Sequence, residues 1–241
     1  MILSDKTFDN EFKKILKWIP WIGMEYTSNI GKRLLIVGES HYIWSNDNDV
    51  VSSINNEGFT RNIIHEKGLN SKKEHKDPIL RNTERALFNA KIVQKKDRKM
   101  LWRSVSFYNF IQKPMNSRKH RPSKQDWQHG WNSFFNVLDI LRPDYVLFCG
   151  LEATNKEQFF REALNNNNYT CSEKIGIGDK FGRTNFRTKG TITKGTDYRV
   201  SIFVMGHPSS FFSWKSWGNT IGRQMSEYIF WLKGSAERGE K

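Results

Sequence analysis

Four short runs of mostly apolar residues are spaced along the chain, and three of them end at a glycine. Their residues do not alternate between apolar and polar, which is typical of strands that are buried on both faces. The run without a terminal glycine is rich in aromatic and β-branched residues, which favour strands. The pattern therefore predicts four strands, at residues 32–38, 104–111, 145–150 and 200–206.

Segments with apolar residues at helical spacing lie between and around these runs. They cover residues 6–18, 127–141, 153–164 and 219–233. Strands that alternate with helices form a parallel sheet covered on both faces. We therefore predict an α/β fold, specifically a three-layer α/β/α sandwich around a central, mostly parallel four-stranded sheet.

Two segments depart from this alternation. Residues 45–100 are polar and charged, partly helical near 80–93, and too long for a plain loop, so we expect an elaborated insertion there. Residues 172–199 are rich in Gly and Thr with alternating basic residues, which suits a hairpin or a mobile excursion. Because no repeat or linker is visible, we predict a single domain over residues 1–241.

The composition indicates a globular, strongly basic protein. The chain has 241 residues, 14% of them aromatic, and a net charge of +14, which predicts attraction to polyanions such as nucleic acid. Two cysteines, Cys149 and Cys171, are too few for a disulfide scaffold, a four-thiolate zinc site or an iron–sulfur cluster. No run approaches the roughly 18 apolar residues of a membrane helix, and the N-terminus lacks a signal-peptide pattern. We therefore expect a cytoplasmic monomer that binds DNA, does not bind membranes and carries no metal or other cofactor.

The segments that follow the predicted strands carry the candidate chemistry, because ligands of such sheets bind at the carboxyl ends of the strands. Glu39 follows the first strand, Asn109 lies near the end of the second, and His207 follows the last. A carboxylate can stabilise a cationic sugar and orient water, while an imidazole can stabilise a departing anionic base. An Asn amide can pair with the carbonyl and N–H of uracil and rejects cytosine. Each residue also has a structural interpretation: a helix cap for Glu39, a loop anchor for His207 and a turn former for Asn109.

These segments together resemble the uracil-DNA glycosylase superfamily. The resemblance rests on Gly38-Glu39-Ser40-His41-Tyr42, on the Asn109 segment and on His207-Pro208-Ser209, in the family's order across residues 30–215. It implies a hydrolase that flips a base out of DNA and cleaves its N-glycosidic bond, as in base-excision repair. It also implies catalytic roles for Glu39 and His207 and base-binding roles for Asn109 and Tyr42, with Tyr42 excluding the thymine methyl group.

The catalytic loop departs from the commonest members of this family. Ser40 stands where they carry Asp, and His41 where they carry Pro, so both become candidate contacts to the base. The Glu at position 39 is that of the iron–sulfur branch, yet two cysteines cannot hold its cluster. Phe59 is a candidate to stack on the flipped base.

The resemblance and the charge also suggest a DNA interface. Phe211 or Phe212 would be an apolar wedge that fills the gap left by the flipped base, while the other anchors the loop. His120 resembles a His that bonds to the abasic sugar in one branch, although a solvated basic loop is the simpler interpretation. The remaining candidate DNA contacts lie in the same strand-end loops: Lys113, Arg118, Lys119, Arg121, Ser209, Ser210 and Lys215.

Three functions remain open from the sequence. The first is excision of uracil or a related pyrimidine. The second is excision of a bulky or hypermodified base from foreign DNA, such as phage DNA in antiviral defence, because the insertion and the unusual loop can reshape the pocket. The third is a non-catalytic nucleic-acid-binding module. Convergence of Glu39, Asn109 and His207 on one site would favour an enzyme, whereas dispersed side chains would favour the binding module.

Overall fold

A computed structural model describes residues 4–43, 48–70, 77–117, 120–150, 157–171, 176–181, 184–210 and 212–238. These residues form an α/β fold in which helices pack on both faces of one mixed β-sheet. The predicted α/β class is therefore confirmed.

The described residues contain helices on both sides of the central strands, a series of four helices between two of those strands, and a series of four strands near the C-terminal end. The helices are α1 (Asp9–Ile15), α2 (Asn48–Asn55), α3 (Phe59–Ile63), α4 (Pro78–Phe88), α5 (Lys95–Ser104), α6 (Lys124–Leu141), α7 (Glu157–Asn166), α8 (Trp214–Gln224) and α9 (Ser226–Arg238). A π-helical turn (Ile64–Leu69) extends α3. The strands are β1 (Trp21–Ile22), β2 (Leu34–Gly38), β3 (Val105–Asn109), β4 (Tyr145–Cys149), β5 (Thr170–Cys171), β6 (Gly176–Phe181), β7 (Thr184–Lys194) and β8 (Tyr198–Met205).

The sheet is larger than predicted. Its strand order is β1-β3-β2-β4-β8-β7-β5, with β6 paired to β7. The four predicted runs are the neighbouring strands β3, β2, β4 and β8, which pair in parallel. The expected four-stranded parallel sheet is nevertheless wrong, because β1, β5, β6 and β7 add antiparallel pairings at the two edges. Strand β1 has only two residues, too few to show a pattern, while β6 and β7 lie in the Gly- and Thr-rich segment expected to form a hairpin.

Each face of the sheet is covered by its own hydrophobic cluster. One cluster joins Leu35 and Val37 of β2 to helices α1, α6 and α7. The other joins Leu34 and Ile36 of the same strand to α4, α5, α8 and α9. Because both faces are buried, the central strands carry apolar side chains on both faces, which explains their lack of alternation.

Helix α6 places an aromatic layer beneath the sheet edge where the parallel strands end. It begins after Ser123, whose side chain accepts a hydrogen bond from the Asp126 backbone N–H, while the Asp126 side chain accepts one from the Ser123 N–H in return. It ends at Arg142, which has a left-handed φ of 47°. Trp131 of this helix contacts Phe110, Phe148 and Phe160, with ring centroids 4.8–5.6 Å apart.

The segment between β2 and β3 contains α2, α3, α4 and α5. Helix α4 is well specified by sequence: the Asp77 side chain accepts from the backbone N–H groups of Ile79 and Leu80, and Pro78 occupies the first turn. The helix ends at Asn89 in a left-handed conformation. It packs closely on α8, because Gly218 brings that helix against the Asn89 side chain. The predicted insertion is thus largely helical within the described residues and lies against the sheet.

Among the described residues, no helix is both long and apolar enough to cross a membrane.

The aromatic layer provides a test of packing. A Cβ at Gly130 of α6 would overlap the Phe110 ring, whereas a Cβ at Gly222 of α8 would meet no atom within 4 Å. We expect Gly130→Ala to lower the free energy of unfolding by about 1–3 kcal/mol through overpacking. Gly222→Ala should raise it by about 1 kcal/mol, because Ala favours a helix over Gly.

Thermal unfolding of the two variants measures both effects, with a shift of about 2–4 °C per kcal/mol expected for a chain of this size. Equal shifts in the same direction would contradict the tight contact between Gly130 and Phe110.

Candidate functional site

The three candidate residues lie at the carboxyl ends of neighbouring parallel strands. Asn109 is the last residue of β3, Glu39 follows β2, and His207 lies two residues beyond β8. Between β2 and β8 lies β4, which is followed by Gly150. The four strand ends therefore line up along one edge of the sheet in the order Asn109, Glu39, Gly150 and His207.

The loop that carries Glu39 is held by backbone pairing that continues beyond the strand ends. The Ile111 N–H donates to the Glu39 carbonyl at 2.8 Å, and the Met115 N–H donates to the His41 carbonyl at 2.8 Å. The Ile43 N–H donates to the Met115 carbonyl at 2.9 Å. Because these bonds tie the loop to the segment after β3, the position of Glu39 is set by the register of two strands.

Both oxygens of the Glu39 carboxylate accept hydrogen bonds. The Tyr42 hydroxyl donates to Oε1 at 3.0 Å, and Nη2 of Arg121 donates to Oε2 at 3.0 Å. The Glu39 side chain is only 11% exposed, while that of Arg121 is 43% exposed. Burial is the largest cause that raises the pKa of Tyr42 above its ordinary value, and the nearby Glu39 charge adds to it, so the Tyr42 hydroxyl stays protonated and donates. The carboxylate is thus oriented by one half-buried and one exposed donor.

Gly150 allows Glu39 and His207 to approach the same point. A Cβ added to Gly150 would lie 3.5 Å from Cδ2 of His207 and 4.0 Å from Oε2 of Glu39. The Gly150 backbone has a φ of +138°, which side-chain-bearing residues rarely adopt. Its N–H donates to the Met205 carbonyl at 3.0 Å, which fixes it beside β8. The backbone conformation at the centre of the site therefore favours glycine, whereas a Cβ there would make only ordinary van der Waals contacts with His207 and Glu39.

The His207 ring is oriented by its own loop and by the insertion. The Ser209 hydroxyl lies 2.8 Å from Nδ1, and the Ser209 backbone N–H donates to Nδ1 at 3.3 Å. A backbone N–H can only donate, so Nδ1 is an acceptor and the neutral ring carries its proton on Nε2. The Asn82 amide of α4 donates to the Pro208 carbonyl at 2.7 Å, so the insertion holds this loop.

Asn109 borders the catalytic loop through Gly38. The two residues are register partners in β3 and β2, and a Cβ on Gly38 would overlap Oδ1 of Asn109. The Asn109 carbonyl accepts from the Gln112 side chain, whose Oε1 accepts from the Trp18 N–H at 3.1 Å. Asn109 is 5% exposed and lies on the side of β2 opposite Gly150. Glu39 and His207 thus share one point at Gly150, while Asn109 meets the same loop from its other side.

A small cavity lies directly beneath Glu39 and Gly150. Its volume of about 10 Å³ corresponds to about one water molecule, so it does not hold a base. The lining is largely aromatic and apolar: Val37, Gly38, Glu39, Phe110, Trp127, Phe148, Cys149 and Gly150.

His41 and Phe59 are packed together beside the catalytic loop. Both are buried, and the His41 ring makes edge contacts at 4.7 Å with Trp18 and with Phe59. Nε2 of His41 lies 2.8 Å from the Thr60 hydroxyl of α3. The two rings therefore anchor the loop to the insertion, and their contacts to a base stay predictions. Ser40 is likewise buried, at 6% exposure.

The candidate DNA contacts are only partly described. Lys113 pairs with Asp126 at 2.7 Å, Arg121 pairs with Glu39, and His120, Ser210 and Lys215 are exposed. Phe212 stacks on Trp217, with ring centroids 6.4 Å apart, so Phe212 anchors the loop. Arg118, Lys119 and Phe211 lie outside the described residues.

Sequence reasoning missed four features of this site. The hydrogen bonds from Tyr42 and Arg121 to Glu39, the central Gly150 and the Asn82 support all depend on how the loops fold over the strand ends. Only Gly150 left a signal, since it ends one of the apolar runs. The described residues contain no group of three or more His, Cys, Asp or Glu side chains that could hold a metal ion. Burial raises the pKa of the Cys149 thiol to about 12, so Cys149 is not a nucleophile at neutral pH.

No protein-family model matches this sequence, and no curated protein matches it either.

The buried His41 makes a pH test of this loop possible. Burial lowers its pKa from 6.5 to about 3. The unfolded chain therefore binds a proton below pH 6.5 that the folded protein refuses until about pH 3, so stability falls as the pH is lowered through this window. The stability advantage of the parent over His41→Gln should shrink by about 2 kcal/mol between pH 7.5 and pH 5.

Denaturant unfolding at the two pH values measures this change. His129→Gln, at an exposed position of α6, is the matched control and should show no such loss. A constant difference between the parent and His41→Gln would contradict a neutral, buried His41.

Proposed function

We propose that this protein is a DNA glycosylase that flips a base out of DNA and hydrolyses its N-glycosidic bond, with uracil as the first candidate base. The observation that carries the proposal is the approach of Glu39 and His207 to one point above Gly150, at the strand ends where parallel sheets bind ligands. The order of the Glu39, Asn109 and His207 segments, together with the parallel pairing of their strands, supports a uracil-DNA glycosylase-like arrangement of the fold.

The chemistry assigns a separate role to each side of Gly150. Bond cleavage builds positive charge on the sugar, and the Glu39 carboxylate stabilises that charge and orients the attacking water. The departing base becomes anionic, and a hydrogen bond donated by Nε2 of His207 would stabilise it. Tyr42 keeps Glu39 oriented by its hydrogen bond to Oε1. Asn109 reads the base edge through its side-chain amide, while its backbone carbonyl is held by the Gln112 side chain.

The approach of Glu39 and His207 to one point favours an enzyme over a non-catalytic binding module, while Asn109 borders the same loop from the other side of β2. A binding module needs cations at the DNA surface, but it has no use for an 11% exposed carboxylate held by two donors beside an oriented imidazole. A carboxylate repels phosphate, so a protein that only binds DNA would gain no affinity from it.

Two classes of base compete for this site. The second candidate, a bulky modified pyrimidine, is favoured by the insertion, because α3 and α4 contact the loops of His41 and Pro208. His41 does not support it, since its ring is buried and its Nε2 faces Thr60 rather than a base substituent. We therefore place uracil first and a 5-substituted pyrimidine second.

The direct test is excision from duplexes that each carry one uracil or one 5-substituted or glycosylated pyrimidine. We expect uracil release, detected by alkali cleavage of the strand and mass spectrometry of the free base. Glu39→Gln should lower the single-turnover rate by roughly 10²–10⁴-fold while leaving DNA affinity within an order of magnitude, since phosphate contacts supply most of the affinity.

The matched control removes a carboxylate far from the strand ends. Asp197→Asn lies in the exposed turn between β7 and β8, and this variant should excise like the parent. Release of the modified base alone would replace uracil by the second candidate. Excision by Glu39→Gln at the rate of the parent would show that Glu39 has no catalytic role. Release of no base would contradict the glycosylase proposal.

The dependence of DNA affinity on salt concentration tests whether DNA is the partner. The net charge of +14 predicts that binding releases counterions from the phosphates. The logarithm of the affinity for duplex DNA should fall linearly with the logarithm of the salt concentration, with a slope of about −0.9 for each phosphate neutralised. Fluorescence anisotropy at several salt concentrations measures this slope, and a flat dependence would contradict a DNA-binding role.

A further inference from the structure

Arg121 has a position that its predicted role as a simple phosphate contact does not explain. Its guanidinium lies 3.0 Å from the Glu39 carboxylate, although the Arg121 side chain is 43% exposed. The other donor to that carboxylate, Tyr42, is half-buried, and its loop is paired to Met115. One partner of Glu39 is thus held by the fold, while the other is a long side chain at the surface.

The Arg121 end of this ion pair is exposed, so water and salt weaken the pair and ordering the Arg121 side chain costs entropy. A DNA phosphate competes well for the same guanidinium, since the planar fork of Arg matches two phosphate oxygens. Glu39 does not lose its orientation when Arg121 leaves, because Tyr42 still donates to Oε1.

We propose that Arg121 exchanges Glu39 for a backbone phosphate beside the flipped nucleotide when DNA binds. This inference rests on the proposed function, which places the target sugar at Glu39. In the free protein the guanidinium neutralises the carboxylate. In the complex it binds the phosphate and leaves the negative charge of Glu39 facing the sugar, where positive charge develops.

Lys113 shows why the exchange is specific to Arg121. Lys113 is also exposed and also pairs with a carboxylate, that of Asp126 at 2.7 Å. Asp126 is committed to the cap of α6, where it accepts from the Ser123 N–H at 2.7 Å. Moving Lys113 to a phosphate therefore uncovers no charge at Glu39, which makes Lys113 the matched comparison for Arg121.

A double-mutant cycle on DNA affinity tests the exchange without depending on turnover. The probe is a fluorescent duplex with one 2′-fluoro-2′-deoxyuridine, whose electron-withdrawing fluorine disfavours the cationic sugar and so slows cleavage. Glu39→Gln should tighten binding by roughly two- to fivefold, because Arg121 no longer has to leave a carboxylate. Arg121→Gln should weaken binding and make the salt slope less negative by about 0.9.

The decisive measurement is the double variant. The gain from Glu39→Gln should be clearly smaller when Arg121 is already replaced by Gln, whereas it should keep its full size in the Lys113→Gln background. A gain of equal size in the Arg121→Gln background would show that Glu39 merely repels DNA, and it would overturn the exchange. An unchanged salt slope in Arg121→Gln would overturn it as well.

The outcomes separate this inference from the function on which it rests. If a base is excised but the mutant cycle is additive, the glycosylase proposal is supported and the exchange is contradicted. If the cycle shows coupling but no base is excised, the exchange is supported and the glycosylase proposal is contradicted. Thermal unfolding of each variant identifies any that does not fold. If Arg121→Gln is unfolded, Arg121→Lys replaces it in the cycle, and the gain from Glu39→Gln should then shrink by a smaller amount.

Discussion

The parallel register of β3, β2, β4 and β8 is the constraint on which the site depends. Parallel strands all end on the same edge, so residues far apart in sequence meet there without any contact between their own segments. Gly38 and Asn109 are direct register partners, and β4 and β8 bring Gly150 and His207 to the same edge. A slip of one residue in any of these pairings would turn its side chains to the other face. The burial of both faces by separate hydrophobic clusters prevents such a slip.

The helical insertion supports the site from behind. Thr60 of α3 contacts the buried His41, and Asn82 of α4 binds the carbonyl of Pro208 in the His207 loop. These contacts reach two different strand ends, so the loops after β2 and β8 are both hydrogen-bonded to the same helical insertion. A buried hydrogen bond to a loop restricts its motion more than an exposed one, because breaking it leaves a polar group without a partner.

In the proposed reaction, the charges around Glu39 would serve two opposed needs. A carboxylate that stabilises a cationic sugar must be oriented, and donors provide orientation, yet a cationic donor also cancels the charge on which that stabilisation depends. The two donors differ in this respect: the neutral Tyr42 hydroxyl orients the carboxylate without neutralising it, whereas the exposed Arg121 guanidinium neutralises it.

The sequence by itself determined the α/β class, the four central strands and the helix predicted over residues 127–141, which lies within α6. These features were predictable because apolar runs and helical spacing are patterns among residues close together in the chain. It also placed Glu39, Asn109 and His207 at the ends of strands, and the ends of parallel strands lie along one edge of the sheet.

Only the tertiary structure decided the rest. The edge strand β1 was missed because it is too short for a pattern, and the packing of the His41 ring between Trp18 and Phe59 joins segments that are distant in sequence. The Arg121 bond to Glu39 joins residues 82 positions apart. Such contacts are set by how loops fold over the strand ends, and no periodicity or spacing along the chain encodes that distance.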